Sequence, residues 1–89
     1  MTDMQFVRST LARRAGCPTS ALHPGHRLED DLDLTPLELV LIALEIEEAV
    51  GVAIAVEGLA SVETVGELMS YFSRALSRAR RSGAYRSVA

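Results

Sequence analysis

The stretch Asp31-Leu32-Asp33-Leu34-Thr35-Pro36-Leu37-Glu38-Leu39-Val40, running on through Leu41-Ile42-Ala43-Leu44-Glu45-Ile46-Glu47-Glu48-Ala49-Val50 to Gly51, decides the fold. Thr35 and Glu38 have the spacing of a capping box, in which each side chain satisfies a backbone amide of the other residue. Pro36 falls at the first helical position, where a missing N–H costs nothing. Gly51 supplies a stop, so the pattern predicts a helix over 36–50. At about 100° per residue, Leu39, Ile42, Ala43, Ile46 and Val50 gather on one side and form the expected core face. The opposite half mixes Leu37, Val40, Leu41 and Leu44 with Glu38, Glu45, Glu47 and Glu48. A small bundle cannot enclose a helix on every side. The reading favoured is therefore an exposed apolar strip fringed by carboxylates, a docking surface. Two plainer readings stand beside it: the outer leucines pack under the preceding loop, or the glutamates are an ordinary solvated face.

Working outward from that helix, residues 16–34 carry Gly16, Pro18, Pro24 and Gly25 and read as a long loop anchored by Leu22, Leu28, Leu32 and Leu34. Before it, Met4, Val7, Leu11 and Ala15 recur at helical spacing behind a cap at Thr2 or Asp3, and Gly16 and Pro18 end that helix. After Gly51, the apolar run Val52–Val56 has no partner strand and reads as an extended link. Glu57–Ala60 suits one helical turn. Thr64 and Glu67 repeat the capping spacing ahead of a last helix faced by Val65, Leu68, Phe72 and Leu76. Residues 1–80 make one bundle, and 81–89, rich in Arg, Ser and Gly, a basic flexible tail.

Composition narrows the function. Eighty-nine residues, 48% of them apolar and with only Phe6, Phe72, Tyr71 and Tyr85 aromatic, give one domain with an aliphatic core. Cys17 is the sole cysteine, so no internal disulfide forms. No apolar run reaches the length of a membrane span, and the N-terminus lacks a secretory pattern, so a cytoplasmic protein is expected. The net charge of −3 is strongly segregated. Residues 28–73 hold every acid except Asp3 and no Lys or Arg, whereas Arg74, Arg78, Arg80, Arg81 and Arg86 crowd the end of the chain. An acidic middle repels nucleic acid and attracts basic protein surfaces.

At this point the sequence resembles the acyl carrier protein family. Members read D-L-G-x-D-S-L-D-x-V-E-L, then a glutamate-rich helix, then x-x-x-I. Here the match is Asp31-Leu32-Asp33-Leu34-Thr35-Pro36-Leu37-Glu38-Leu39-Val40, on to Ala43-Leu44-Glu45-Ile46-Glu47-Glu48 and Gly51-Val52-Ala53-Ile54, without gaps over residues 31–54. Thr64-Val65-Gly66-Glu67-Leu68 with Tyr71-Phe72 resembles the start of the family's last helix. The resemblance implies an all-α, four-helix bundle with a long first loop and a short third helix. It implies a carrier and not an enzyme. It also implies partners among acyl- or polyketide-processing enzymes of fatty acid or polyketide metabolism, which meet the second helix through a basic docking surface. The matching positions are Leu37, Glu38, Val40, Leu41, Leu44, Glu45, Glu47 and Glu48; Leu41 stands where the family often has glutamate. The family's serine, which carries 4′-phosphopantetheine through a phosphodiester, corresponds to Pro36, with Thr35 in place of the preceding aspartate.

Proline has no nucleophilic oxygen, so the expectation is a non-acylated, monomeric, partner-binding homologue without a cofactor. The alternatives are a working carrier with its arm on Thr35 and an unrelated structural or regulatory bundle. Ser20 and Ser61 do not sit at the head of the acidic helix. His23 and His26, beside Glu29, Asp30, Asp31 and Asp33, lack a defined ligand spacing, so no metal is expected. No catalytic constellation is evident.

Overall fold

The computed structural model describes residues 2–51 and 53–82. Val52, within the expected link, and residues 83–89 of the expected tail lie outside the described residues. Three α-helices occur in the order α1 (Asp3–Ala15), α2 (Pro36–Val50) and α3 (Val65–Ser82), with 3-10 turns at Thr19–Ala21 and Glu57–Ser61. α1 packs on both α2 and α3, and the second 3-10 turn packs on α2. The described residues form no strand, only an isolated bridge between Arg27 and Thr64.

The short third helix of the expected four-helix bundle is this second 3-10 turn, closed by Leu59 N–H to Val56 O and Val62 N–H to Leu59 O. Five residues that include Gly58 are too few to repay the nucleation of an α-helix, and the tighter i→i+3 pattern takes over. The first 3-10 turn, Thr19–Ala21, interrupts what the sequence predicted as continuous loop. At the other end, α3 runs past residue 80 through Ser82.

Each long helix begins where its local chemistry directs. Thr2 caps α1 and pairs with Gln5 in a capping box. Thr35 and Glu38 do the same for α2, with Pro36 in the first turn. Gly16 and Gly51 end α1 and α2 at φ 74° and 75°, a left-handed conformation that glycine adopts without steric cost.

The core is aliphatic around one aromatic ring, Phe72. Val7 and Leu11 from α1 meet Leu39, Ile42, Ala43, Ile46 and Val50 from α2 and Val65, Leu68, Phe72 and Leu76 from α3. The first loop contributes Leu22, Leu28 and Leu34, all buried, with Leu32 half-buried against the same cluster. Burial of Leu28 and Leu34 is worth roughly 2 kcal/mol each, which offsets a part of the entropy of ordering the loop. At the far end Asp3, itself buried, accepts from Arg80 at 3.1 Å and ties the start of α1 to the end of α3.

The head of α3 carries an electrostatic lock. The Glu67 carboxylate accepts the N–H groups of Glu63 (2.9 Å) and Thr64 (3.1 Å), while Glu67 N–H donates to Thr64 Oγ1. These amides hold the carboxyl below its ordinary value of 4.5, the Glu63 N–H being the largest cause and the Thr64 N–H the next. A depressed carboxyl adds stability above its unfolded value and loses it as pH falls through the folded one. Glu67→Gln should therefore lower the urea midpoint at neutral pH. It should also narrow the gap between neutral and pH ~3 midpoints relative to the unaltered chain, as checked by urea titrations at the two pH values.

Candidate functional site

The candidate site is the head and outer face of α2, and the loop before it sets its position. Leu28 and Leu34 are buried, and Leu34 N–H donates to Leu28 O at 2.8 Å, so the chain between them closes into a tight excursion. Within it Asp31 N–H bonds Arg27 O and Asp33 N–H bonds Glu29 O. Asp33 leaves the turn at φ 57°, the one positive φ among the described non-glycine residues. Most L residues lose about 1–2 kcal/mol there, and Asp and Asn tolerate it best. Asp33 falls where the D-L-G-x-D-S-L pattern carries glycine, which gives that pattern position a backbone reason.

Thr35 then turns to extended geometry (φ −80°, ψ 162°) and opens α2. Its Oγ1 accepts Glu38 N–H at 3.2 Å and lies 3.3 Å from Glu38 Oε1, which also accepts Thr35 N–H at 3.3 Å. The hydroxyl is thus held in the cap. Pro36 is exposed and presents a hydrocarbon ring. Beside it lies a cleft of ≈ 160 Å³ lined by Arg27, Leu28, Leu34, Leu59, Val62 and Glu63. Arg27 crosses this region, meeting Asp30 at 3.1 Å and Glu63 at 2.9 Å. Glu63 first, then Asp30, raises its pKa further.

On the outer face of α2, Leu37 is 67% exposed and Leu44 is 49% exposed, while Val40 and Leu41 are half-buried. The outer leucines are therefore not sealed under the first loop. The carboxylates have different fates. Glu38 is held in the cap. Glu45 pairs with Arg13 and reaches Arg14 at 3.4 Å, joining α2 to the end of α1. Glu47 accepts Ile54 N–H at 2.8 Å and pins the link that follows the helix. Glu48 is exposed. Two acids in the last turn oppose the helix dipole, and the Ile54 amide offsets this at Glu47. Sequence periodicity put Glu45 and Glu47 on the outer half but had no signal for these distant partners.

Other candidate residues are placed elsewhere. His23 and His26 pack edge to face with centroids 5.0 Å apart, and His23 N–H donates to His26 Nδ1. Ser61 donates its hydroxyl to Gly58 O, and Ser20 lies in the first 3-10 turn. No described helix is long and apolar enough to cross a membrane.

The family model described as "Phosphopantetheine attachment site" matches residues 5–72, which include all of the loop, cap and outer-face geometry above. The acyl carrier protein of Acidothermus cellulolyticus is 36% identical over 61 residues, 68% of this chain and 73% of that protein. The chain belongs to the acyl carrier protein family. That of Kineococcus radiotolerans is 32% identical over 79 residues, 84% of this chain and 98% of its own length. The meromycolate extension acyl carrier protein of Mycobacterium tuberculosis is 37% identical over 59 residues, 66% of this chain; the chain spans about half (51%) of that relative's length. Acyl carrier proteins are carriers, not enzymes, and act on pathways through the enzymes they meet.

The left-handed residue ahead of α2 yields a stability test. Asp33→Gly should raise unfolding free energy by about 0.5–1 kcal/mol, strain relief exceeding the entropy cost of glycine. Asp33→Val should lower it by about 1 kcal/mol or more, since a β-branched residue fits that φ badly. Urea denaturation followed by far-ultraviolet dichroism checks both; equal midpoints for the two variants would remove the strain argument.

Proposed function

We propose that this chain is an acyl carrier protein homologue that works without a prosthetic arm, docking through α2 on an acyl- or polyketide-processing enzyme with a basic surface. The name of one relative points to meromycolate extension, and the reading takes in fatty acid and polyketide metabolism as chemistry of the same kind. The protein acts as a cytoplasmic monomer whose role is to occupy or organise a carrier-docking site. Its partner-binding face is Leu37, Glu38, Val40, Leu41, Leu44, Glu45, Glu47 and Glu48.

The observation that carries this reading is the head of α2, where a hydroxyl-free Pro36 adjoins a Leu37 that is 67% exposed. A phosphodiester to 4′-phosphopantetheine needs a free side-chain hydroxyl. Pro36 has none, and the adjacent Thr35 Oγ1 accepts the Glu38 amide. The residues present do not fit the arm. An exposed leucine pair fringed by carboxylates fits a protein surface with apolar and basic groups. The alternative, an arm on Thr35, rests on the family's attachment chemistry. It would take from α2 a cap worth about 1 kcal/mol.

Incubation with coenzyme A and a broad-specificity phosphopantetheinyl transferase, followed by intact mass measurement, separates these readings. The unaltered chain should gain no mass. Pro36→Ser should gain one phosphopantetheine, at a stability cost below about 1 kcal/mol, because serine is acceptable in a first helical turn. A gain by the unaltered chain that disappears in Thr35→Ala would replace the proposal with the alternative.

A further inference from the structure

The described arginines divide into two groups. Arg8 donates to the carbonyls of Thr19 and Leu22 at 3.0 Å each. Arg13 and Arg14 meet Glu45, Arg27 meets Asp30 and Glu63, and Arg80 meets Asp3. Arg74, Arg78 and Arg81 are all exposed and have no carboxylate or carbonyl partner among the described residues. On a helix, positions 74, 78 and 81 fall within an arc of about 60° and span about 10 Å. That arc lies on the side of α3 away from Val65, Leu68, Phe72 and Leu76, its buried face. Glu67 shares the arc, but its carboxylate is turned onto the Glu63 and Thr64 amides. Toward the same end, Arg74 and Tyr71 line an open groove with Gly58, Ser61 and Val62.

We infer that the outer face of α3 is a second docking surface, taking an acidic protein surface whose carboxylates recur at helical spacing. The charge of this face is opposite to that of α2, and the inference stands whatever α2 binds. Guanidinium groups pair with carboxylates through two parallel hydrogen bonds, and three on one stripe set a register. Two other polyanions fit worse. Nucleic acid would bring its phosphates against residues 28–73, which hold eleven acids and no Lys or Arg. For a lipid surface, α3 has turned its buried apolar face into the core and has no apolar ridge between the arginines to insert. Three basic side chains alone hold weakly there. A folded acidic partner presents its charge locally, meets the arginines, and places a small apolar side chain over the groove at Val62 and Tyr71.

The test is a nuclear magnetic resonance titration of the full, isotope-labelled chain. The probe is a helical peptide with glutamates at i, i+4 and i+7, and the control is an isomer with the same glutamates spread around the helix. Amide shifts should be confined to the outer face of α3 and the adjoining groove, and should weaken with added salt. Arg74→Glu, Arg78→Glu and Arg81→Glu together should weaken binding by at least about tenfold, and Arg13→Gln should not change it. The three glutamine substitutions serve as a second variant, with helicity checked by circular dichroism. Four outcomes overturn the inference: no shifts, an equal response to the isomer, stronger binding to phosphatidylglycerol vesicles than to the peptide, or the same shifts on concentrating the protein alone.

Discussion

Backbone hydrogen bonds from Leu28 N–H to Glu63 O, Val65 N–H to His26 O and Gly66 N–H to Pro24 O fasten the first loop to the head of α3, and the placement of α2 follows from them. With Leu28 held by that seam, Leu34 closes on Leu28 O, and the residues between must turn back sharply. That turn forces Asp33 into a left-handed conformation and delivers Thr35 in the extended geometry an N-cap needs. The seam also tolerates little bulk. A methyl group on Gly66 would sit 3.2 Å from the Pro24 carbonyl, tighter than ordinary packing. Arg27 adds side-chain bonds to Glu63 and Asp30 across the same junction. These are exposed ion pairs, worth little individually, so the backbone bonds and the buried leucines set the geometry.

Much of this was legible because it is local. The limits of α2 are written in Thr35, Pro36, Glu38 and Gly51, and its core face in a 3.6-residue period; the structure places each of those residues as the pattern predicts. The loop leucines were legible for a related reason: apolar residues in a polar loop have few places to go except the core. What could not be read depends on chain segments far apart. Arg27 and Glu63 are 36 residues apart, and Asp3 and Arg80 are 77 apart. No periodicity carries such pairings. The one turn at Glu57–Ala60 was legible, but the 3-10 turn at Thr19–Ala21 was not, because three residues generate no repeat. The left-handed Asp33 had a signal in the family pattern's glycine, which marks a backbone requirement more than a side-chain one.

The same distinction applies to the outer face of α2. Sequence placed four glutamates there as one acidic fringe. In the fold, Glu45 is an inter-helix tie, Glu47 an anchor for the Ile54 amide and Glu38 half of a cap. A carboxylate that accepts a backbone amide has part of its field already compensated, so this fringe attracts a basic surface less than four free glutamates would. The apolar component gains relative weight, with Leu37 and Leu44 the large hydrophobic side chains left exposed among the described residues. A partner reading this face would rely on shape and desolvation more than on charge steering. Such complexes gain affinity mainly through slower dissociation.

Proline at the head of α2 fits that balance. Its fixed φ is already helical, and it forfeits only an amide that would have had no partner within the helix. A serine there would contribute a hydroxyl at the cost of a less restricted start. The Thr35–Glu38 box works equally well with either residue, because its hydrogen bonds pass on both sides of position 36 and none involves that side chain. On the proposed reading, exchange of a reactive hydroxyl for a rigid ring therefore needs no compensation elsewhere in the bundle. On the same reading the chemistry of attachment and the shape of the surface are separable in this fold: one residue would carry the first, and the helix behind it the second.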